Sequence, residues 1–511
     1  MAPNLLPELV IGIVAPIGVD IELVSSHISV ELGRLGYKTH PIHLTKIMSS
    51  QFDIKPDEVI LSQLRKSFPD NQFPVYAEKI ALGNTFRKKS TDAILAAIAV
   101  KEIREIRSRE RPEPADERSP SVQAEGNAFI IRQLKRPEEI THLRHIYGKK
   151  FIQISVVDGR ESRAENLSRK IAKDHPAFTY PEEIAATLIR IDEEQADAAH
   201  GQKIRDTSHT ADVFVDGAAE SALKDSLSRF FQAFFGSNKI GPTIDEFGCY
   251  LAKTASLRSV DLSRQVGAAI LTHCGDVVTV GCNEVPKAGG GNYWENDPHR
   301  ARDVDQNRES NKIELNSVIH DLVARLISGG HIKSGSAEEF IGSAKDIFDD
   351  ARISDITEFG RMTHAEMSAI LDAARLGRSL RGTTLYVTTF PCHNCAKHIV
   401  AAGIQKVIYV EPYAKSLAAT MQSDSISIDT TAPRKVGFCH FIGVAPRRFR
   451  DVFERGRRRD KQNNIIPWAK GTAAPLIDDA GPQHIIKEEW GLIPLEKLLS
   501  DQLKDWMGEH S

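Results

Sequence analysis

Short apolar runs alternate with helix-spaced ones along the first part of the chain. Residues 9–15 are almost wholly apolar, a Pro/Gly turn follows, and an amphipathic stretch at 21–35 closes on Gly36, which predicts strand, loop and helix. Apolar segments at 39–44, 127–133 and 151–157 recur between helical patterns, and this alternation predicts a parallel sheet covered by helices. A strand-like 211–215 closes the first unit near Asp216, and helical patterns at 218–235 and 244–257 bridge to a second. There, 266–271 and 277–284 flank a Thr-His-Cys-Gly-Asp turn, a hairpin signal. A polar, helix-containing insertion at 287–356 comes next. It is followed by a helix from near Thr363, a strand at 384–389, a helix from Cys392, and strands at 406–410 and 438–444. The expected division is a domain at 1–217, a second at 218–460 and a tail at 461–511 serving as cap or oligomer contact, with the polar stretch 104–126 as a mobile surface loop.

Composition narrows the function classes. With 41% hydrophobic and 26% charged residues among 511, the chain can bury sizeable cores, and wholesale disorder is excluded. Sixty-six basic against 69 acidic residues leave a net charge of -3, so any polyanion would need a local basic patch rather than a global field. No apolar run approaches the ~18 residues of a membrane span. The start, Met-Ala-Pro-Asn-Leu-Leu-Pro, lacks the features of a secretory signal, so a cytoplasmic protein without membrane attachment is expected. The cysteines, at 249, 274, 282, 392, 395 and 439, are too sparse for a disulfide scaffold, and only one pair has ligand spacing.

That pair lies in Pro391-Cys392-His393-Asn394-Cys395, downstream of His364-Ala365-Glu366, and both segments sit where helices should begin. One imidazole and two thiolates suit a borderline-soft tetrahedral ion such as Zn2+, and three protein ligands leave a fourth position open, as catalytic sites require. The positive end of a helix favours the thiolate forms of Cys392 and Cys395. Taken alone, Cys-x-x-Cys is equally half of a structural zinc site or a redox pair, but a structural site would need a fourth ligand. Glu366 is placed to meet a water rather than to ligate the ion, and is assigned proton transfer. His393 is expected to face solvent or lie behind the ligands, and Cys249, Cys274, Cys282 and Cys439 are read as packing residues.

The pattern His-x-Glu then Pro-Cys-x-x-Cys resembles the signature of zinc nucleobase deaminases. Residues 247–453 resemble the deoxycytidylate deaminase branch more fully, through Arg258-Ser259-Val260-Asp261-Leu262-Ser263-Arg264-Gln265-Val266-Gly267-Ala268 and Gly281-Cys282-Asn283-Glu284-Val285-Pro286. With Thr388-Thr389-Phe390-Pro391-Cys392-His393-Asn394-Cys395 and Glu411-Pro412-Tyr413-Ala414-Lys415-Ser416 behind a kinase-like first domain, the chain looks like the bacterial anti-phage deoxycytidine nucleotide deaminases. The resemblance implies an α/β protein with a P-loop NTPase-like parallel-sheet domain and a cytidine deaminase-like α/β/α domain of mixed sheet. It also implies deamination of free dCTP, dCMP or both, which depletes the dCTP a phage needs, in a homo-oligomer restrained by a small RNA or a nucleotide ligand. His364, Cys392 and Cys395 match the zinc ligands, Glu366 the proton shuttle, and Asn283 the residue that hydrogen-bonds the nucleoside, although a turn asparagine would read the same. A nucleotide needs cations for its phosphates, and Arg258, Arg264 and Lys415 are the candidates, Arg258 first, against the alternative of solvated surface cations. Phe390 can stack on the base or pack in the core. The alternatives in other classes are a polynucleotide cytidine deaminase and a non-catalytic sensor or nucleotide-binding scaffold.

The first domain resembles P-loop deoxynucleotide kinases with its chemistry removed. Against Gly-x-x-x-x-Gly-Lys-Ser/Thr, Ala15 takes the first glycine position, Asp20 the second, Ile21 the lysine and Glu22 the hydroxyl, with Gly18 alone keeping the loop's flexibility. The strand at 127–133 ends in Arg132 and Gln133 instead of a magnesium-positioning acid. A regulatory or sensing role is expected there. At 447–461 basic residues cluster around Phe449 and Phe453, a candidate dock for a short RNA or for substrate phosphates.

Overall fold

The computed structural model describes residues 6–110, 125–193, 195, 199–333, 335–356, 358–429, 432–466, 468, 474–477 and 483–500. They form two compact units, one of residues 1–246 and 442–511 and one of residues 247–441.

In the first unit, strands β1 (Leu9–Val14), β2 (Lys38–His43), β3 (Asn127–Arg132), β4 (Phe151–Val157) and β5 (Val213–Asp216) are joined in parallel in the order β5-β4-β1-β3-β2. Every residue of β1 is buried, as a strand covered on both faces must be. Its side chains alternate between two cores. Leu9, Ile11 and Ile13 meet Val24, Ile28, Phe230 and Phe234 on one face. Val10 and Val14 meet Phe129, Phe151 and the helix Ile94–Arg109 on the other. That helix runs into the stretch expected as a surface loop, whose residues 111–124 lie outside the described ones.

The expected boundaries shift for physical reasons. Residues 218–246 belong with the first unit, because the helix Glu220–Phe234 buries Leu223, Leu227, Phe230, Phe231 and Phe234 in its core. The strand expected at 438–444 is two strands, Val436–His440 in the second sheet and Gly443–Val444 antiparallel to β5 in the first. The tail is no separate element either. Its helix Gln483–Gly491 carries Glu488, fully buried, onto Arg107, which also pairs with Glu8; His484 and Tyr147 close the network.

In the second unit the hairpin is as expected, β6 (Gly267–Leu271) pairing antiparallel with β7 (Val277–Cys282). β6 also pairs antiparallel with β8 (Thr384–Thr389), after which β9 (Lys406–Glu411), β11 (Val436–His440) and β10 (Ile426–Ile428) follow in parallel. The sheet is therefore mixed, ordered β7-β6-β8-β9-β11-β10. The helix Ala365–Arg375 lies on it through Ala365, Ala369 and Ala373, a stripe small enough for close approach. Gly281 completes that fit, since a Cβ there would lie 2.4 Å from the Ala365 carbonyl oxygen and 2.5 Å from the Ala369 nitrogen. The insertion after β7 folds as short helices around Leu315, Ile319, Val323 and Ala337. Among the described residues no helix is long and apolar enough to cross a membrane.

Candidate active site

Two helix starts build the site. His364 is the N-cap of Ala365–Arg375 and Cys392 the N-cap of His393–Ala401; the His364 side chain makes no capping hydrogen bond, and the Cys392 sulfur meets Cys395 one turn into its own helix. An N-cap normally satisfies an orphan N–H; here the donor atoms point to each other instead. Nδ1 of His364 lies 3.4 Å from each sulfur, and the ligand atoms of His364, Cys392 and Cys395 all lie within 4.8 Å of one another.

The electrostatics fit a cation. The hydrogen bond from Cys395, with His364 beside it, holds the Cys392 thiol down at about 3, and its pairing with Cys392 raises His364 to about 9. Cys395 is pushed up by the same sulfur contact and by burial. A divalent ion bound here would displace protons, taking both sulfurs as thiolates and the imidazole as neutral. Glu366, 4% exposed, is pushed up by burial, against the pull of His364. Its carboxyl touches Cys395, beside the metal position.

His364, Glu366 and Cys392 open into a cavity of about 980 Å3, also lined by Asn283, Arg264, Phe390 and Lys415. Asn283 is buried, and its amide ties down the chain before β6: Oδ1 accepts from Val266 N at 2.7 Å, and Nδ2 donates to the Arg264 carbonyl at 2.8 Å. It therefore shapes the cavity wall as well as lining it. Phe390 lines the cavity while its ring packs on Tyr409 and Phe438 at 4.9 and 5.5 Å. Arg264 lies 3.6 Å from Glu411 and over the ring of Tyr413, and Lys415 is exposed at the rim.

Arg258, the first candidate for phosphate, is not in the cavity lining. Its guanidinium stacks 3.6 Å from the Trp294 ring centre and donates to the carbonyls of Asn292 and Tyr293, so it pins the start of the insertion. His393 lines the cavity rather than facing away, with Nδ1 buried and lacking a hydrogen-bond partner among the described residues. The sequence reading missed the insertion's share: Asp303, Glu309, Arg352 and, just past it, Arg361 all reach the lining. Arg361 is held by Asp303 Oδ1 at 3.0 Å and by Gln306 Oε1 at 2.9 Å. The polarity of the insertion was the only available signal.

The segment whose sequence resembles a P-loop is closed on itself. Asp20 caps the helix Ile21–Arg34, accepting from Glu22 N at 3.1 Å and Leu23 N at 3.3 Å, where a phosphate would otherwise sit. Ile17 N donates to Asp192 Oδ2 at 2.6 Å, and Lys135 bridges Asp192 and the Ala15 carbonyl. Ile21 is buried, and Gly18 has φ +99°, with the Arg163 carbonyl 2.6 Å from where a Cβ would stand. The basic stretch at 447–461 is largely engaged within the same unit. Arg448 is buried against Asp212 and Asp451, Arg447 and Arg455 donate to the carbonyls of Thr210 and Ala233, and Phe453 packs on the core. This weakens it as a nucleic-acid dock.

Residues 243–411 match the family described as the cytidine and deoxycytidylate deaminase zinc-binding region. The deoxycytidylate deaminase of Enterobacteria phage T2 is 55% identical over 53 residues, 10% of this chain and 28% of that protein. The ComE operon protein 2 of Bacillus subtilis is 36% identical over 90 residues, 15% of this chain and 48% of that one. The chain thus spans less than half the length of these curated relatives. Among solved structures, the dCMP deaminase of cyanophage S-TIM5 in complex with dCMP and dUMP aligns over 40% of this chain and 99% of that one, at 18% identity and a TM-score of 0.22. The second unit contains the region similar to this zinc-binding family, and His364, Cys392 and Cys395 within it form a group that could hold a metal ion.

Proposed function

We propose that the protein hydrolytically deaminates free deoxycytidine nucleotides, dCMP, dCTP or both, to deoxyuridine nucleotides. The observation that carries this reading is the cluster of His364, Cys392 and the fully buried Cys395 with Glu366, of which His364, Glu366 and Cys392 line one cavity of nucleotide-accommodating size. Bound zinc supplies Lewis acidity, the property by which it activates water near neutral pH. The chain's own residues do the rest. The Glu366 carboxyl accepts a proton from the attacking water and delivers it to the ring nitrogen, then passes the next to the amino group that leaves as ammonia. Phe390 offers its exposed face to the base, and Asn283 holds the wall against which the nucleoside lies. Arg264 and Lys415, at the mouth, are placed for phosphates; Arg264 exchanges its long contact with Glu411 for the ligand.

Depletion of dCTP as an anti-phage defence, a homo-oligomeric state and a restraining ligand are supported by the sequence resemblance. A reducing, cytoplasmic setting is supported by the sequence, whose six cysteines are too sparse for a disulfide scaffold. Incubating purified protein with dCMP, dCTP, cytidine and single-stranded DNA in turn, and separating the products, tests the substrate class. Conversion of a free deoxynucleotide is expected, and conversion of DNA alone would replace the reading. In cells, the wild-type chain is expected to lower dCTP and phage yield and Glu366→Ala to do neither; protection by Glu366→Ala would make the protein a sensor rather than an enzyme.

A further inference from the structure

The first unit contains a second cavity, of about 360 Å3, that the deaminase chemistry does not use. It opens past the carboxyl ends of β1, β2 and β3, lined by residues that directly follow those strands. The chain leaves β1 for one side of the sheet (β3, β2) and returns to the other (β4, β5), so this is a topological switch point, where open α/β sheets bind ligands. The backbone cradle that would hold phosphate there is already occupied, by Asp20 on the helix N-terminus and Asp192 on Ile17 N. Oδ1 of Asp20 accepts from the helix N–H groups, and both oxygens of Asp192 are engaged, by Ile17 N and by Lys135.

Across the cavity the chemistry is inverted. Arg132, at the end of β3, is 13% exposed, and its carboxylate partner Glu22, 2.7 Å away, is 74% exposed. An ion pair with one member so open to water is weak and exchangeable, whereas a phosphate can be gripped by both arms of a guanidinium. Lys79 and Lys170 add exposed ammonium groups to the same lining. Gln202, also in the lining and 8% exposed, has a buried Oε1 without a hydrogen-bond partner among the described residues. Such an acceptor awaits an N–H or O–H donor.

We propose that this cavity binds a phosphomonoester without a divalent cation, Arg132, Lys79 and Lys170 holding the phosphate that displaces Glu22, and Gln202 meeting a donor on the body of the ligand. The altered loop has then not merely lost a nucleoside triphosphate site; the anion-binding role has moved from backbone N–H groups to side chains on the opposite wall.

Calorimetric titration of the full-length, zinc-loaded protein in magnesium-free buffer tests this, with dGMP, deoxyribose 5-phosphate and inorganic phosphate as probes. Saturable binding of at least one of the two esters is expected, not strengthened by magnesium, about tenfold weaker in Arg132→Gln and tighter in Glu22→Gln. Which ester binds identifies the source of the phosphate. Unchanged deamination by both variants shows that the chain has folded. Absence of saturable binding, equal affinity in Arg132→Gln, a requirement for magnesium, or binding of inorganic phosphate alone would each overturn the proposal.

Discussion

Two strand-to-helix turns, one in each unit, put the same piece of backbone geometry to opposite uses. After β1, Asp20 caps its own helix and the loop N–H groups are answered by the chain's carboxylates. After β8, Cys392 occupies the equivalent N-cap, and its sulfur meets Cys395 of the same helix and also His364, itself an N-cap whose side chain makes no capping bond. A helix end becomes a site when its capping side chain is chemically competent and not consumed locally. Asp20 is consumed; the Cys392 sulfur still faces the His364 imidazole on the other helix start.

The largest test of that contrast is removal of the donors. His364→Ala or Cys395→Ala is expected to lose zinc in elemental analysis and deamination altogether. Glu366→Ala is expected to keep the metal while activity falls by about 10^2- to 10^4-fold. Equal metal loss in all three would make Glu366 a structural residue.

In the first unit the largest stability effect is expected at Arg107, not at the loop. Arg107→Met strands the buried carboxylates of Glu8 and Glu488 and should cost about 3–5 kcal/mol, read as a lower denaturant midpoint. The same network gives a pH dependence. Burial alone would raise Glu8, but its hydrogen bond to His484 and the charge of Arg107 bring it below the ordinary 4.5. Its contribution is therefore complete above that value and is lost as pH falls through the lower, folded value. The midpoint of the first unit should drop on acidification below about pH 4.5, and less so in Arg107→Met.

Smaller effects separate the packing of the two helix starts. Gly281→Ala drives a methyl into the backbone of the His364 helix, at a cost of about 1–3 kcal/mol, and should lower kcat by displacing Glu366. Asp20→Ala removes a cap worth about 0.5–2 kcal/mol and should leave deamination kinetics unchanged. A loss of activity from Asp20→Ala as large as that from Glu366→Ala would contradict the assignment of catalysis to the second unit.

The sequence by itself determined the strands and helices wherever hydrophobic periodicity is strong, as in 9–15 and 21–35. It also determined the metal chemistry, because His364, Glu366, Cys392 and Cys395 announce themselves by residue type and short spacing at helix starts. Tertiary structure decided what depends on distant partners. Nothing local to Arg258 reveals that Trp294 takes its guanidinium away from the cavity, nor that the insertion supplies Arg352 and Arg361 to the lining. Residues 218–246 and 442–511 join the first unit through a buried helix and edge pairings formed across hundreds of residues. Periodicity and motif spacing are properties of neighbouring residues and survive in one dimension; strand order, domain membership and the company a charged side chain keeps are set by which surfaces bury each other, and they exist only once the chain has folded.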